Sequence, residues 1–402
     1  MVNTILTPTQ VTRAALVILH QKCNFIGRIN RQYDSSFAKE GAKIGTDLKI
    51  RLPNQYTVRT GAALSTQTTA ETSTTLTVST QKGVDTSFTS VDLTMSLQDF
   101  SDRILEPAMS VLAANIENDA LSMINDVSQT VDNQTNGSMS MATVLQAKKK
   151  LNDALAPQDT TRTGLLTTQD EVDLVNALKG LFQDSTAIKQ QYREGMMGRT
   201  GGFDFYENTL LSNITSGSMV AASSAAISDT VTATTATSSL GYNNLTLGAG
   251  TLVVGDVFTI ATLNRVHPES KDDTGEAMQF VVTEAVAGSS INSVSFSPAI
   301  TMSGARQNVI STAISGQLIV KLGVASTSIR QSLFFHRDAF AFATADLIMP
   351  NDVHFKSRQV LDGISMRIIQ QYTISDDAIP GRIDVLYGYK TIREQLAAKV
   401  WT

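Results

Sequence analysis

The sequence predicts an α+β protein in which helices before a β module and strands after it share one core. Three observations lead there. Strand alternation over residues 47–95 gives way to helical spacing over 96–127. A purely β region follows a stretch at 212–250 that is rich in Ser, Thr, Ala and Gly. Mixed helix and strand patterning returns from about 330 onward.

Composition bounds the reading. At about 150 residues per domain, 402 residues suggest two or three domains. Apolar residues are 42% of the chain, enough for a sizeable core, while charged residues are only 17%. An average soluble domain carries about 25%. With 32 Lys and Arg against 37 Asp and Glu, the net charge is −5. That argues against sequence-independent nucleic-acid binding, which needs an electropositive face. A surface this sparsely charged suits a protein covered by copies of itself, although a Thr-rich β protein has the same composition. Cys23 is the single cysteine, so neither a disulfide framework nor a thiolate zinc cluster is expected. The first residues lack a cationic start before a long apolar run, so no secretory leader is expected. No run reaches the roughly 18 apolar residues of a spanning helix.

Each element follows from local pattern. Residues 1–46 read as an N-terminal arm, with partly helical spacing at Val11, Ala14, Ala15, Val17, Ile18 and Leu19 and then an extended strap. Leu48, Ile50 and Leu52 alternate with Lys49 and Arg51 as in a strand, and Pro53 interrupts it. After a polar tip, Leu76 and Val78 alternate with Thr75, Thr77 and Ser79, and Val84 and Phe88 continue the return. This predicts a long hairpin with a thin apolar strip, marginal alone and with edges open to another chain. Residues 96–127 predict a long helix, capped at Ser96 with Asp99 and kinked or restarted at Pro107.

A loop at 128–140 precedes an amphipathic helix over 141–156 (Val144, Leu145, Ala147, Leu151, Leu155), ended by Pro157. Residues 165–192 read as a strand and then helical turns from Asp170. The runs LVVGDVFTIATL, MQFVVTEAV and INSVSFSPAI are strands spaced as in a small barrel or sandwich. GISMRIIQQYTI and RIDVLYGYKTIREQLAAKVW read as two long closing strands. Residues 205–318 are therefore expected to be a β module inserted into a discontinuous domain.

Catalytic patterns are weak. His20, His267, His336 and His354 include no pair at i, i+4. His20 and Cys23 would be neighbours on a helix, but no oriented base or oxyanion site accompanies them. Asp273-Thr274-Gly275 matches the aspartic-protease tripeptide, yet ESKD precedes it in place of an apolar strand. Glu269, Asp272, Asp273 and Glu276 lack the ligand spacing of an EF-hand loop. No nucleotide-binding loop or nucleophile elbow is present. An enzyme is not expected, and no cofactor or metal is implied.

The phrases NRQYD at 30–34, GTDLKIRLPNQYTVRTG at 45–61, LQDFSDRILEPAMSVLAANI at 97–116, GDVFTIA at 255–261 and IDVLYGYKTIREQLA at 383–397, in that order, carry a resemblance. The chain resembles tailed-phage major capsid proteins of the HK97-type fold, in the branch of short-tailed Salmonella phages whose coat proteins carry a β-barrel insertion domain. The resemblance implies an arm at 1–46, E-loop hairpin and peripheral strands at 47–95, and a spine helix at 96–127. It further implies an axial domain at 128–204, an inserted β-barrel at 205–318, and a second axial and peripheral part at 319–402. Asp47 to Phe88 would be the E-loop. The loop Asn264 to Ala277 would reach toward a neighbouring capsomer.

The implied function is a coat that assembles into an icosahedral shell around double-stranded DNA. Partners would be other copies in pentamers and hexamers, a separate scaffolding protein and a portal. Contact with packaged DNA would be weak and non-specific, with no membrane. Its place would be the virion, assembled in the bacterial cytoplasm. Arg51, Arg59, Asp272 and Asp273 are the candidate inter-subunit contacts. The competing readings are a phage tail or fibre subunit, an adhesin, or an encapsulin-like nanocompartment shell.

Overall fold

The computed structural model describes residues 8–31, 46–64, 66–67, 72–89, 106–178, 199–219, 237–245, 251–285, 291–310, 312, 317–353, 355–361, 364–374 and 378–402. The expectations for the strap at 32–45, the helix start with Ser96 and Asp99, and the turns at 179–192 lie outside these residues. The chain runs through α1 (Pro8–Lys22), β1 (Thr46–Arg51), β2 (Ser73–Val78), β3 (Thr80–Thr89) and α2 (Glu106–Leu121). A 3-10 turn at Ser122–Asp126 leads to β4 (Thr130–Asp132), α3 (Met141–Asp153), β5 (Arg162–Leu166) and α4 (Thr168–Leu178). Next come β6 (Arg199–Thr200), β7 (Phe203–Glu207), β8 (Ile214–Thr215), β9 (Thr237–Leu245) and β10 (Val257–Val266). β11 (Asp273–Val282), β12 (Ile291–Ile300), β13 (Ile319–Lys321), β14 (Ser328–Ile329) and β15 (Gln331–His336) follow. The chain closes with β16 (Phe340–Ala345), β17 (Phe355–Leu361), β18 (Ile364–Gln370), β19 (Ala378–Thr391) and β20 (Ala397–Trp401). Two units result: Met1–Arg51, Ser73–Leu121 and Phe340–Ile392 form one, and Leu52–Thr72, Ser122–Ala339 and Arg393–Thr402 the other.

In the first unit β1 and β2 pair antiparallel from Thr46↔Val78 to Arg51↔Ser73, as their alternation predicts. Leu76 and Val78 are fully buried, with Leu48 and Ile50 beside them, against Ala341, Ala343, Ala345, Leu347 and Leu386. The apolar strip at the hairpin base is thus covered by its own unit. The return departs from expectation beyond Val78. β3 pairs with β19 rather than with β1, from Thr80↔Tyr387 to Thr89↔Ala378. The remaining strands of that sheet run in the order β16-β19-β18-β17. Gly388 permits this packing, because a Cβ there would stand 2.3 Å from the Thr77 carbonyl oxygen on β2.

Helix α1 packs on α2, β17 and β18, with Ala15, Leu16 and Leu19 buried. Phe25 meets Phe340 edge-on at 5.7 Å, and its N–H donates to Glu117 at 3.0 Å. Residues 8–31, which include the first part of the strap expected at 25–45, are folded onto their own unit. Helix α2 is described from Glu106 with Pro107 beside it, and the residues before it, where a kink or restart was expected, lie outside the described residues. Charge inside the unit is paired. Asp384, 1% exposed, takes Arg367 at 2.7 Å and Arg382 at 2.9 Å. Asp119 takes Lys82 at 2.8 Å and the Tyr387 hydroxyl at 2.5 Å.

The second unit holds a mixed six-stranded sheet in the order β4-β20-β15-β5-β7-β6. Every residue of β15 is buried, as expected of a strand covered on both faces. Helix α3 starts at Ser140, whose hydroxyl accepts the Thr143 N–H at 3.3 Å. Val144, Ala147 and Leu151 face inward, whereas Leu145 and Leu155 are 47% and 43% exposed, so the buried stripe is narrower than the sequence suggested. The second closing strand is broken as well. After β19 a 3-10 turn at Glu394–Leu396 diverts the chain, and β20 joins β15 and β4.

The chain leaves the six-stranded sheet after β7 and returns to it at β15. In between, an antiparallel sheet in the order β13-β10-β11-β12-β9 surrounds its own core. Phe258, Phe280 and Phe296 meet there at centroid distances of 5.1–5.7 Å. Among the described residues no pairing joins β13 to β9, so closure of this sheet into a barrel is not seen in them.

Candidate assembly surface

Two exposed segments carry the residues singled out from sequence. The first is the tip beyond β1, where the strand pattern ends at Pro53. Leu52 N–H still donates to Thr72 O at 2.8 Å. Farther out, Thr57 N–H donates to Gln67 Oε1 at 2.9 Å, and Gln67 returns a bond to the Thr57 carbonyl. The Arg59 guanidinium donates to the Gly61 carbonyl, so it braces the turn. Arg51 ends β1 and is exposed. Three apolar side chains stand outward with no cover: Tyr56 at 60%, Val58 at 95% and Leu64 at 85% exposure. Water meets nearly all of Val58, and covering it with another surface would remove that apolar area from water.

The second segment is the β10–β11 hairpin. Its tip is closed by His267 N–H to Asp272 O at 2.9 Å, and the His267 ring nitrogen Nδ1 accepts the N–H groups of Glu269 and Ser270. Asp272 is exposed. Asp273 is also exposed, but it spends both oxygens within the hairpin, on Gly275 N–H at 2.8 Å and Asn264 Nδ2 at 3.1 Å. Those bonds hold its carboxyl below the usual range. Its place in an exposed turn, bonded to neighbours, does not suit the shared buried proton of a protease carboxylate pair.

Sequence reasoning missed what anchors this hairpin. Glu276, one of the acidic residues expected in a salt-bridging loop or a solvated tip, pairs with Lys149 on α3 at the surface. Lys149 also meets Asp153 at 3.3 Å, and Arg265 meets Asp153 at 3.5 Å. The Lys149 bond lowers the Glu276 carboxyl below its ordinary range. Gln279 grips the Thr130 backbone in both directions, accepting its N–H at 2.9 Å and donating to its carbonyl at 3.0 Å. Lys150 donates to the same Gln279 Oε1 at 2.9 Å, and burial pushes its ammonium down to about 8. The available signal was the KKK run at 148–150 on an amphipathic helix, which nothing in the sequence paired with a distant acidic strand.

The nucleophile reading of Cys23 fails on electrostatics. Burial, with the negative charge of Glu117 added, pushes its thiol up to about 12, the opposite of an activated thiolate. The His20 side chain and His354 lie outside the described residues. His336 is buried, 3.2 Å from Asp159. Among the described residues, no group of three His, Cys, Asp or Glu could hold a metal ion, and no helix is long and apolar enough to cross a membrane.

The profile of the P22 coat protein family, described as P22 coat protein, gene protein 5, matches residues 22–398. No curated protein matches the chain. Among solved structures it is similar to one from Mycobacterium phage Che8, at 11% identity and TM-score 0.45, covering 92% of this chain and 89% of that one. It is similar to the capsid structure of cyanophage P-SCSP1u, at 10% identity and TM-score 0.42, covering 94% and 91%. The capsid structure of Staphylococcus phage Andhra aligns at 9% identity and TM-score 0.39, covering 92% and 84%. At these scores the superpositions are too loose to carry residue roles across.

Proposed function

The chain belongs to the P22 coat protein family, and from that premise we propose that it is the major capsid protein of a tailed bacteriophage, assembling in many copies into a closed icosahedral shell around double-stranded DNA. The family match over residues 22–398 carries this reading. The exposed apolar side chains of Tyr56, Val58 and Leu64 on the otherwise polar tip give it a physical basis. Covering such side chains contributes roughly 1.5–3 kcal/mol each, before the entropy of association is subtracted. Repetition over a closed lattice makes a modest interface sufficient.

Pentamers and hexamers are the oligomers this reading calls for, with a separate scaffolding protein and a portal, in a virion assembled in the host cytoplasm. Arg51, Arg59, Asp272 and Asp273 set register in it. Exposed ion pairs contribute about 0–1 kcal/mol, so strength comes from the apolar tip. Asp272 is the stronger candidate of the two aspartates, because the Asp273 oxygens are engaged in the hairpin. The role is structural, and no catalytic step is assigned.

Val58→Asp tests the reading. Val58 is 95% exposed, so the variant should melt like the parent. Negative-stain microscopy and sedimentation should show shells or capsomers for the parent and unassembled protein for the variant. Normal shells from the variant would remove the tip from the interface. Rods or tubes from the parent would favour a tail or fibre subunit.

A further inference from the structure

Where the β10–β13 module joins the six-stranded sheet, three charged side chains are buried together. Asp256 precedes β10 and is 0% exposed. Its Oδ2 accepts the N–H groups of Gly217 and Val253, each at 3.0 Å. Its Oδ1 is buried with no hydrogen-bond donor among the described residues. The two chain segments here are pressed together, since a Cβ on Gly217 would stand 2.1 Å from the Thr251 carbonyl oxygen and 2.8 Å from the Asp256 Oδ2.

Lys399, on β20, is 0% exposed. Its Nζ donates to the Gly255 carbonyl at 2.8 Å and lies 5.3 Å from the Trp401 ring centre. Lys321, on β13, is 2% exposed and donates to the Ser216 hydroxyl. An ammonium has three donors and a full charge, so a single neutral acceptor leaves it poorly compensated in the interior. Among the described residues no ion pair within 4.0 Å joins Asp256 to either lysine. Lys399 nevertheless bonds Gly255, the residue before Asp256, and Lys321 bonds Ser216, next to the Gly217 whose N–H Asp256 accepts. This carboxylate is therefore the anion at the junction.

We propose that Asp256 is the shared counter-charge of Lys321 and Lys399, and that this buried trio latches the root of the β10–β13 module to β20. Nothing in the proposal depends on shell assembly. The latch joins segments far apart in sequence: β20 of the six-stranded sheet, the entry to β10 and the exit through β13. Other charged groups face it as well. Asp126, on the 3-10 turn, acts on Lys399, and Asp132, on β4, acts on Lys321. Glu394 lies beside Asp126, and burial raises its carboxyl to about 8.

The latch has a pH signature. Burial lowers Lys399 to about 7, with Asp256 and Asp126 working against that fall. Lys399 is therefore charged at pH 6 and neutral at pH 9, and its coupling to Asp256 should weaken across that interval. The sign for stability is separate. The native value lies below the ordinary 10.5, so Lys399 reduces stability as pH falls from 10.5 to 7 and adds no further loss below. Lys321 shifts in the same direction.

The test is a double-mutant cycle with Asp256→Asn and Lys399→Met in the full chain, read by urea unfolding at both pH values. Asn keeps an acceptor for Gly217 and Val253 while removing the charge. Titration of Glu394 is common to all four proteins and cancels. At pH 6 the effect of Asp256→Asn on the unfolding constant should be at least about tenfold larger with Lys399 present than with Met. At pH 9 the difference should shrink severalfold. Equal effects in both backgrounds, or a coupling that ignores pH, would overturn the latch and leave Asp256 as an N–H acceptor alone. If Asp256→Asn does not fold, Lys321→Met and Lys399→Met can be combined. A shared counter-charge makes their effects non-additive by about threefold or more, and strict additivity refutes the sharing.

Discussion

At the scale of single residues, Gly388 shows how one position lets two strands stack. The Thr77 carbonyl oxygen and the Val78 Cα would lie 2.3 Å and 3.0 Å from any Cβ placed there. Both are backbone atoms, so neither can swing aside. Gly388→Ala should therefore destabilise the first unit by roughly 1–3 kcal/mol, the usual range for overpacking. A urea melt followed by Tyr fluorescence checks this, since Tyr387 and Tyr389 stack nearby at 6.4 Å. A loss below about 0.5 kcal/mol would mean that β2 simply rides higher. The sequence marks Gly388 only as a glycine within a strand pattern. The carbonyl that needs the space is supplied by a distant segment. Asp256 was equally hidden: it lies in LVVGDVFTIATL, which reads as a strand, and only the fold brings Lys321 and Lys399 to the same junction.

At the scale of elements, local pattern was legible and partner choice was not. The alternation at 48–52 and 75–79 became β1 and β2 in register. Both readings rest on neighbours within a few residues. β3 has the same alternation, yet its partner is β19, with Thr86 bonded to Gly381 across 295 positions. β20 looked continuous with β19 because nothing at Ile392–Arg393 is a breaker such as Gly or Pro. The exposed faces of Leu145 and Leu155 were missed because hydrophobicity alone does not say which part of a stripe is covered. Of the candidate site, the exposure of the tip and of Asp272 was legible, and a salt-bridging acidic loop was one reading, while the partner of Glu276 was not. Its partner Lys149 lies 127 positions away. Gln279 then becomes the link between elements, because it pairs with both backbone groups of Thr130. Gln279→Ala should destabilise the second unit by about 1–3 kcal/mol, since Thr130 is 1% exposed and its N–H loses this acceptor. Hydrogen exchange at the Thr130 amide should accelerate in parallel; unchanged protection there would show that another acceptor takes over.

At the scale of the whole molecule, the low charge content makes a prediction about what drives assembly. Charged residues are 17% of the chain, and the net charge is only −5. Copies therefore approach with little mutual repulsion, and the hairpin tip exposes Tyr56, Val58 and Leu64 among its polar groups. Ion pairs between exposed side chains weaken as the screening length drops from about 10 Å at 0.1 M salt to about 3 Å at 1 M. Apolar burial does not weaken with salt, and it fades on cooling. Raising sodium chloride from about 0.1 M to about 1 M should therefore change the threshold concentration for assembly by less than about threefold. Cooling the same solution should raise that threshold. Light scattering against protein concentration reads both. If instead the threshold climbs steeply with salt and ignores temperature, charges such as Arg51, Arg59 and Asp272 hold the lattice, and Tyr56, Val58 and Leu64 are covered by something other than a neighbouring copy.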